Sequence, residues 1–293
     1  MWQSIENQLT EQLQRPFSIT ERGAVTGGDI HQAHWIENEQ GERFFVKFND
    51  RNHLAAFCAE ADSLKQLASS QSVQVPQVIH VGTTKHHAFL VLEFLPCKPL
   101  QSPEQAAQFG RNLAALHLWG EQPHYGFDQD NYLATNLQNN RWQKRWSRFF
   151  AEQRFGWQLM QCAEKGLVFG DIDRLIERCQ LLLNNHQPKP SLLHGDLWQG
   201  NAAMGAHGPL CFDPASYWGD RECDLAMSEL FGRFPDAFYQ SYHEAYPIDE
   251  GYAQRKGLYQ LYHLLQHCHL FGGHFLEKTH QQMANQGLLT LEH

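Results

Sequence analysis

Leu193-His194-Gly195-Asp196-Leu197-Trp198-Gln199-Gly200-Asn201 is the most informative stretch of this sequence. In it, an acid, Asp196, precedes an amide, Asn201, by five residues, and a second acid, Asp213, follows the apolar run Leu210-Cys211-Phe212. Phosphoryl transfer from ATP uses such a set, because one carboxylate takes the proton of the acceptor hydroxyl while an amide oxygen and a second carboxylate hold Mg²⁺. The spacing therefore predicts a catalytic loop for phosphoryl transfer. The alternative is a loop of turn-forming residues in which Asp and Asn only cap the chain.

A lysine and a glutamate upstream of this loop form a second, independent pattern. Lys47 lies in a predicted strand over residues 43–48, and the next predicted helix spans about residues 52–69. At the helical period, Glu60 falls on the apolar face of that helix, which is defined by Phe57, Ala61, Leu64 and Ala68. A buried carboxylate needs a cationic partner, so we expect Glu60 to pair with Lys47. Such a pair positions the phosphates of ATP in kinases.

Two weaker features complete the predicted nucleotide site. A turn lies between two predicted strands, and its glycines would let main-chain N–H groups approach a phosphate, unless it is a plain hairpin. Those glycines are Gly27 and Gly28. The end of the last strand before the linker offers main-chain groups to adenine, or simply connects the two lobes. Its residues are Glu93, Phe94 and Leu95.

The order of the predicted elements indicates two lobes. A helix is expected over residues 2–14, followed by strands over 17–25, 30–37, 43–48, 78–81 and 88–94. Beyond Pro96 and Pro99 the pattern predicts helices over 103–119, 142–165, 172–185 and from about 224 onward, with two short strands flanking residues 205–209. We therefore expect an α+β chain with an N-terminal nucleotide-binding lobe over residues 1–95 and a larger helical lobe for catalysis and substrate over 96–290.

The composition excludes several classes of protein. With 293 residues, 42% hydrophobic and 19% charged, the sequence is that of an ordinary globular chain. Its net charge of −9 excludes a generic nucleic-acid binder, because phosphate backbones require a basic surface. No apolar run is long enough to span a bilayer, and the first residues lack the pattern of a signal peptide. Seven scattered cysteines without a C-x-x-C pair indicate reduced thiols, so we expect a cytoplasmic protein without membrane or obligate protein partners.

Taken together, these motifs resemble those of the fructosamine kinase family, also called ketosamine-3-kinases. That family belongs to the aminoglycoside-phosphotransferase and choline-kinase-like group, which shares the protein-kinase fold. The most specific matches are residues 194–201 and Asp213-Pro214-Ala215, and the resemblance runs through nearly the whole chain. The other matching stretches are residues 27–30, 44–47, 92–95, 126–132, 138–142, 219–226 and 258–263.

The resemblance implies a two-lobe, protein-kinase-like fold with a small antiparallel sheet in the N-lobe and a larger helical C-lobe. It also implies phosphorylation by ATP of the sugar 3-hydroxyl of ketoamines, the products of amine glycation, and hence deglycation of a small molecule or protein. By position, Asp196 becomes the catalytic base, Asn201 and Asp213 become ligands of Mg²⁺, and Lys47 contacts the ATP phosphates. Gln266 departs from the family, in which we would expect Asn. Asp-Pro-Ala in place of Asp-Phe-Gly argues against control by phosphorylation of an activation loop.

The acceptor side is expected around Trp198, two residues after the base. An indole face packs on the C–H face of a sugar and attracts a cation. Nearby acids, Asp220 and Glu222, are expected to favour the protonated amine of a ketoamine. The alternative is that Trp198 packs under the loop as core. Asp224 precedes an apolar helix and is expected to cap that helix or to brace the loop.

Three other functions stay open at this point. The acceptor could be another hydroxyl compound, such as an aminoglycoside or a choline-like amino alcohol. The chain could be a nucleotide-binding pseudokinase, although all four expected polar residues, Lys47, Asp196, Asn201 and Asp213, are present. It could also be a metal-binding protein, although no H-E-x-x-H motif supports its cluster of histidines. That cluster comprises His263, His267, His269 and His274.

Overall fold

Five strands form an antiparallel sheet in the amino-terminal part of the chain. The structure is a computed structural model, and it describes residues 1–25 and 30–289. The strands are β1 (Glu21–Val25), β2 (Gln32–Glu37), β3 (Arg43–Asp50), β4 (Val78–Thr83) and β5 (His87–Glu93). Their order in the sheet is β1-β2-β3-β5-β4. Helix α1 (Trp2–Leu13) precedes the sheet, and α2 (Leu54–Ser69) connects β3 to β4.

The alternation of side chains along β3 gives its two faces different neighbours. Phe44, Val46 and Phe48 pack with Ile5 and Leu9 of α1 in one apolar cluster. A second cluster, on the α2 side of the sheet, is formed by Phe57, Ala61, Leu64, Ala88, Leu90 and Leu92. Lys47 lies between Val46 and Phe48 and so points away from α1, toward α2.

The carboxyl-terminal part is mainly helical. Its helices are α3 (Pro103–Leu118), α4 (Trp146–Phe150), α5 (Trp157–Glu164), α6 (Ile172–Leu183), α7 (Glu222–Ser228), α8 (Asp236–Ala245), α9 (Tyr252–Phe271) and α10 (Leu276–Asn285). Three two-stranded ladders accompany them. They are β6 (Asn131–Leu133) with β7 (Asn136–Gln138), β8 (Ser191–Leu192) with β11 (Trp218–Gly219), and β9 (Ala202–Gly205) with β10 (Gly208–Cys211). The expected α+β class is confirmed.

Most predicted elements are present, with shifted boundaries. The expected strand over 17–25 begins only at Glu21, and the helix expected over 142–165 begins at Trp146 and contains a π-helical turn, Ala151–Gly156. The β6–β7 hairpin was not predicted. Helix α3 begins where its sequence indicates, because Ser102 and Gln105 form a capping box and Pro103 occupies its first turn.

The connection between the two parts runs from the end of β5, at Glu93, to the start of α3, at Pro103. The lobe boundary after residue 95 stays a prediction. All seven cysteines carry free thiols, five of them buried. None of the helices in the described residues combines the length and the apolar character needed to cross a bilayer.

Candidate active site

The loop predicted to be catalytic, residues 193–201, lies between β8 and β9 and contacts the segment that follows Asp213. Gly195 has φ +86°, and a Cβ added to it would stand 2.1 Å from the carbonyl oxygen of Ala215. Only glycine fits this position, since an L side chain would be strained there and would clash with the main chain. The N–H of Ala215 donates to the carbonyl oxygen of His194 at 2.9 Å, which fixes the two segments to each other.

Asp224, in α7, supports the same loop through hydrogen bonds to its main chain. It is almost fully buried, and its carboxylate accepts hydrogen bonds from the N–H groups of His194, at 2.7 Å, and Gly195, at 2.9 Å. His117 Nε2 of α3 lies 3.1 Å from the same carboxylate. Burial alone would raise the pKa of Asp224, but the hydrogen bonds and the charge of His117 lower it. The expectation that Asp224 would brace the loop agrees with these contacts.

Asp196 and Asn201 are in direct contact. Asn201 Nδ2 donates to the carbonyl oxygen of Asp196 at 2.9 Å and to its Oδ2 at 3.1 Å. These two acceptors fix the orientation of the amide and leave Asn201 Oδ1 free of them. Burial and the negative charge of Asp213 raise the pKa of Asp196 to about 7, while the hydrogen bond from Asn201 opposes that shift. A carboxyl group of this kind is suited to exchange a proton near neutral pH.

Asp213 follows the β9–β10 hairpin and has a left-handed backbone, with φ +58°. This region is uncommon for residues other than glycine, although aspartate tolerates it better than most, and positions of this kind cluster at functional sites. Its side chain is 45% exposed and contacts Lys47 Nζ at 2.5 Å. The Asp213 carboxylate and the amide oxygen of Asn201, to which no group of residues 1–25 and 30–289 donates, are oxygen ligands of the kind that Mg²⁺ prefers, so the two residues fit this ion.

The ion pair expected between Lys47 and Glu60 is present. Lys47 Nζ lies 2.7 Å from Glu60 Oε1, and the lysine is only 6% exposed. Burial would lower the pKa of Lys47, but the carboxylates of Asp213 and Glu60 raise it, so the ammonium group stays charged. Lys47 thus joins β3, α2 and the segment after β10 at one point. Its role toward ATP stays a prediction.

Trp198 is half-buried and lies over Gly200, where an added Cβ would come within 2.3 Å of the indole ring. None of the apolar clusters found among the described residues includes Trp198. The neighbouring Gln199 Nε2 donates to the carbonyl oxygen of Arg233 at 2.6 Å, so this flank of the loop touches the α7–α8 connection. The core alternative for Trp198 therefore has little support.

The expectation for Asp220 and Glu222 needs correction. Both are about 99% buried, at the start of α7. Asp220 Oδ2 accepts a hydrogen bond from Tyr259 at 2.6 Å and lies 2.7 Å from His186 Nε2, while Arg255 binds both oxygens of Glu222. Carboxylates that are buried and already paired are not free to attract an amine. The local sequence did not reveal this, because the partners lie 33 to 39 residues away.

The remaining nucleotide-side residues stay predictions. Gly27 and Gly28 lie outside the described residues. Glu93, Phe94 and Leu95 are half-buried at the end of β5. The N–H of Glu93 donates to the carbonyl oxygen of Gln77 at 2.8 Å. His31 and Asn49 were not predicted. Asn49 points to the same side of β3 as Lys47, and its Nδ2 lies 2.9 Å from His31 Nδ1.

The histidines of α9 do not converge on one point. His263 is buried. His267 Nδ1 is hydrogen-bonded to the carbonyl oxygen of His263, and His269 Nδ1 is hydrogen-bonded to the carbonyl oxygen of Gln161. A different trio of potential ligands is close together, namely His186, Asp220 and Glu222. Arg255 already neutralises Glu222 in that trio.

Comparisons with known proteins agree with this geometry. Residues 1–289 match the profile of the family described as "Fructosamine kinase". A Vibrio parahaemolyticus protein named "Probable ketoamine kinase" is 54% identical over 279 residues, which cover 95% of this chain and 96% of the relative. An Escherichia coli K12 protein, also named a "Probable ketoamine kinase", is 48% identical, and the match covers 97% of this chain and 98% of the relative.

Solved structures show the same fold. The crystal structure of a fructosamine-3-kinase family protein from Haemophilus somnus 129PT superposes with a TM-score of 0.93 at 39% identity, over 99% of this chain and 98% of that one. An aminoglycoside phosphotransferase, APH(4)-Ia, superposes with a TM-score of 0.62 at 14% identity, over 98% and 99% of the two chains. The expected kinase-like fold is confirmed.

Proposed function

Since the chain belongs to the fructosamine kinase family, we propose that it transfers the terminal phosphoryl group of ATP to the 3-hydroxyl of a ketoamine sugar. One observation carries this proposal. Lys47 contacts both Glu60 and Asp213, and so connects the N-terminal sheet to the segment beside the Asp196–Asn201 pair. This arrangement supports nucleotide binding by residues 1–95 and catalysis by residues 96–290.

Asp196 has the properties of the group that receives the proton. In the proposed step, the acceptor hydroxyl oxygen forms a bond to the terminal phosphorus of ATP. The bond from that phosphorus to the bridging oxygen breaks, ADP leaves with the electron pair, and the hydroxyl proton passes to Asp196. The contact with Asn201 holds the Asp196 carboxylate in one orientation, which positions the acceptor for in-line attack.

The nucleotide would be held by charged and polar side chains from both the N-terminal and the C-terminal part of the chain. Lys47, kept charged by its two carboxylate neighbours, would contact the phosphates, and Glu60 would position Lys47. Asn201 Oδ1 and Asp213 would hold Mg²⁺, which when bound neutralises charge on the phosphates. Gly27 and Gly28 would cover the phosphates, and Glu93, Phe94 and Leu95 would border adenine.

Trp198 is the proposed contact for the sugar. Its position next to the base and outside the apolar clusters supports this role, because a half-exposed indole offers a flat apolar face to the C–H groups of a sugar. Loss of the 3-phosphate by elimination would free the amine, so the proposed biological outcome is deglycation. The second candidate is the phosphorylation of another hydroxyl compound, which the kinase-like fold alone would also permit.

A substrate panel tests the proposal. ADP release would be measured with Mg²⁺-ATP and each of a fructosamine, a ribulosamine, an erythrulosamine, an aminoglycoside and choline. The proposal predicts stimulation by at least one ketoamine, with turnover of roughly 1–100 per second on a good substrate. If only the aminoglycoside or choline stimulates ADP release, the second candidate replaces it.

A further inference from the structure

His31 lies on the same side of the sheet as Lys47. It directly precedes β2 and contacts Asn49, whose side chain points to the same side of β3 as that of Lys47 because the two residues are two positions apart. That side faces α2, where the His31 ring packs against the ring of Phe57 with centroids 4.9 Å apart. His31 thus lies just before β2, on the α2 side of the sheet where Lys47 pairs with Glu60.

The hydrogen bonds around Asn49 fix the tautomer of His31. Asn49 Oδ1 accepts from the N–H of Asp50 at 2.8 Å, and Asn49 Nδ2 donates to the carbonyl oxygen of Ile30 at 3.1 Å. The amide nitrogen therefore also donates to His31 Nδ1, which lies 2.9 Å away. A neutral imidazole that accepts at Nδ1 carries its hydrogen on Nε2.

The surroundings of His31 favour this neutral form. Burial and the positive charges of Lys47 and His53 lower the pKa of His31 to about 4, while Asp213 opposes the shift. His31 Nε2 makes no hydrogen bond within residues 1–25 and 30–289. A donor on a partly buried ring, close to a lysine expected to bind phosphate, is the chemistry that recognises a phosphate oxygen.

We propose that His31 binds a phosphate group of the nucleotide through its Nε2–H. This inference rests on the proposed function, in which Lys47 contacts the same phosphates. His31, directly before β2, would add a hydrogen-bond donor beside the charge of Lys47. Its expected partner is the triphosphate chain, because Lys47, the proposed phosphate contact, lies opposite Ala33, two residues after His31.

The test uses a variant that keeps the ring and removes the donor. His31→Phe retains packing on Phe57, whereas His31→Gln retains an N–H donor at a similar distance. His34→Phe is the matched control, since His34 lies on the opposite face of β2, against Trp2 and Phe48. Calorimetry without any acceptor would give the Kd of Mg²⁺-ATP and of adenosine for each variant, with Tm recorded as a check of folding.

We expect His31→Phe to raise the Kd of Mg²⁺-ATP about tenfold, since a hydrogen bond to a charged group is lost. The Kd of adenosine should not change. His31→Gln should recover most of the affinity, and His34→Phe should match the wild type. Unchanged affinity for ATP in His31→Phe, or an equal loss for ATP and adenosine, would overturn the inference. If no ketoamine is phosphorylated but this pattern holds, the proposed function fails and the phosphate contact stands.

Discussion

Lys47 contacts both Glu60 and Asp213, and its pairing with Glu60 can be tested directly. Lys47→Ala and Glu60→Ala should each raise the KM for ATP and lower kcat, because the first removes the ammonium group and the second removes the carboxylate that positions it. The double variant should be little worse than either single one. Steady-state kinetics on the four proteins measures this coupling. Independent, additive losses would mean that the pair does not act as a unit.

Trp198 allows a prediction that separates a pocket from a core residue. Trp198→Ala should raise the KM for the ketoamine or lower kcat, with the KM for ATP and the Tm little changed, because the indole lies outside the apolar clusters. Trp198→Phe, which keeps an aromatic face, should restore part of the activity. A core role would instead cost about 3–5 kcal/mol of stability on truncation. Early melting with parallel loss of both substrates would therefore contradict the assignment.

At this scale, the sequence predicted residues whose partners follow from local spacing. Asp196 and Asn201 are separated by five positions in one loop, and they are in contact. Glu60 could be placed on the buried face of α2 from its helical period. Asp220 could not be interpreted correctly, because its partner Tyr259 comes from another helix. Burial by a distant element leaves no signal in the neighbouring residues.

At the scale of elements, α7 supports the catalytic loop through Asp224. Asp224→Asn keeps the shape of the side chain but replaces an acceptor oxygen with a donor, which leaves a buried N–H of His194 or Gly195 unpaired. Removing one partner of a buried charged contact costs about 3–5 kcal/mol. Denaturant unfolding would measure this loss. Asp128→Asn, at an exposed position between α3 and β6, is the control and should be neutral within about 0.5 kcal/mol.

Elements differ in how far the sequence predicts them. The long helices α3 and α6 were both predicted. Each shows an apolar period over several turns and begins after a capping residue, Ser102 in α3 and Asp171 in α6. The β6–β7 hairpin has strands of three residues each, which are too short to show alternation. The π-helical turn inside the helix that begins at Trp146 depends on packing, not on a sequence period.

Across the whole molecule, buried neutral histidines give stability a dependence on pH. Burial is the main reason that the pKa of His263 falls to about 3, below the value of about 6.5 expected in an unfolded chain. As pH falls below 6.5, the unfolded state takes up a proton that the folded state excludes, so the free energy of unfolding decreases. At pH 5.5, this one residue should cost about 1.4 kcal/mol relative to pH 7.5.

The measurement compares the free energy of unfolding at these two pH values in wild type and His263→Gln. The variant should lose less stability on acidification than wild type by about 1.4 kcal/mol. His207→Gln, at an exposed position in the β9–β10 turn, should keep the wild-type difference. Equal pH differences in wild type and His263→Gln would show that His263 is not held neutral by the fold.

The identity of the phosphorylated product decides whether this protein phosphorylates the 3-hydroxyl of a ketoamine. Purified protein, Mg²⁺-ATP and a fructosamine would be incubated, and the product analysed by phosphorus and carbon NMR. We expect one phosphate ester, at carbon 3 of the sugar, and at least roughly 100-fold slower formation by Asp196→Asn, which should bind ATP but lacks the base. A phosphate at another hydroxyl, a full rate in Asp196→Asn, or no phosphorylated ketoamine at all would contradict it.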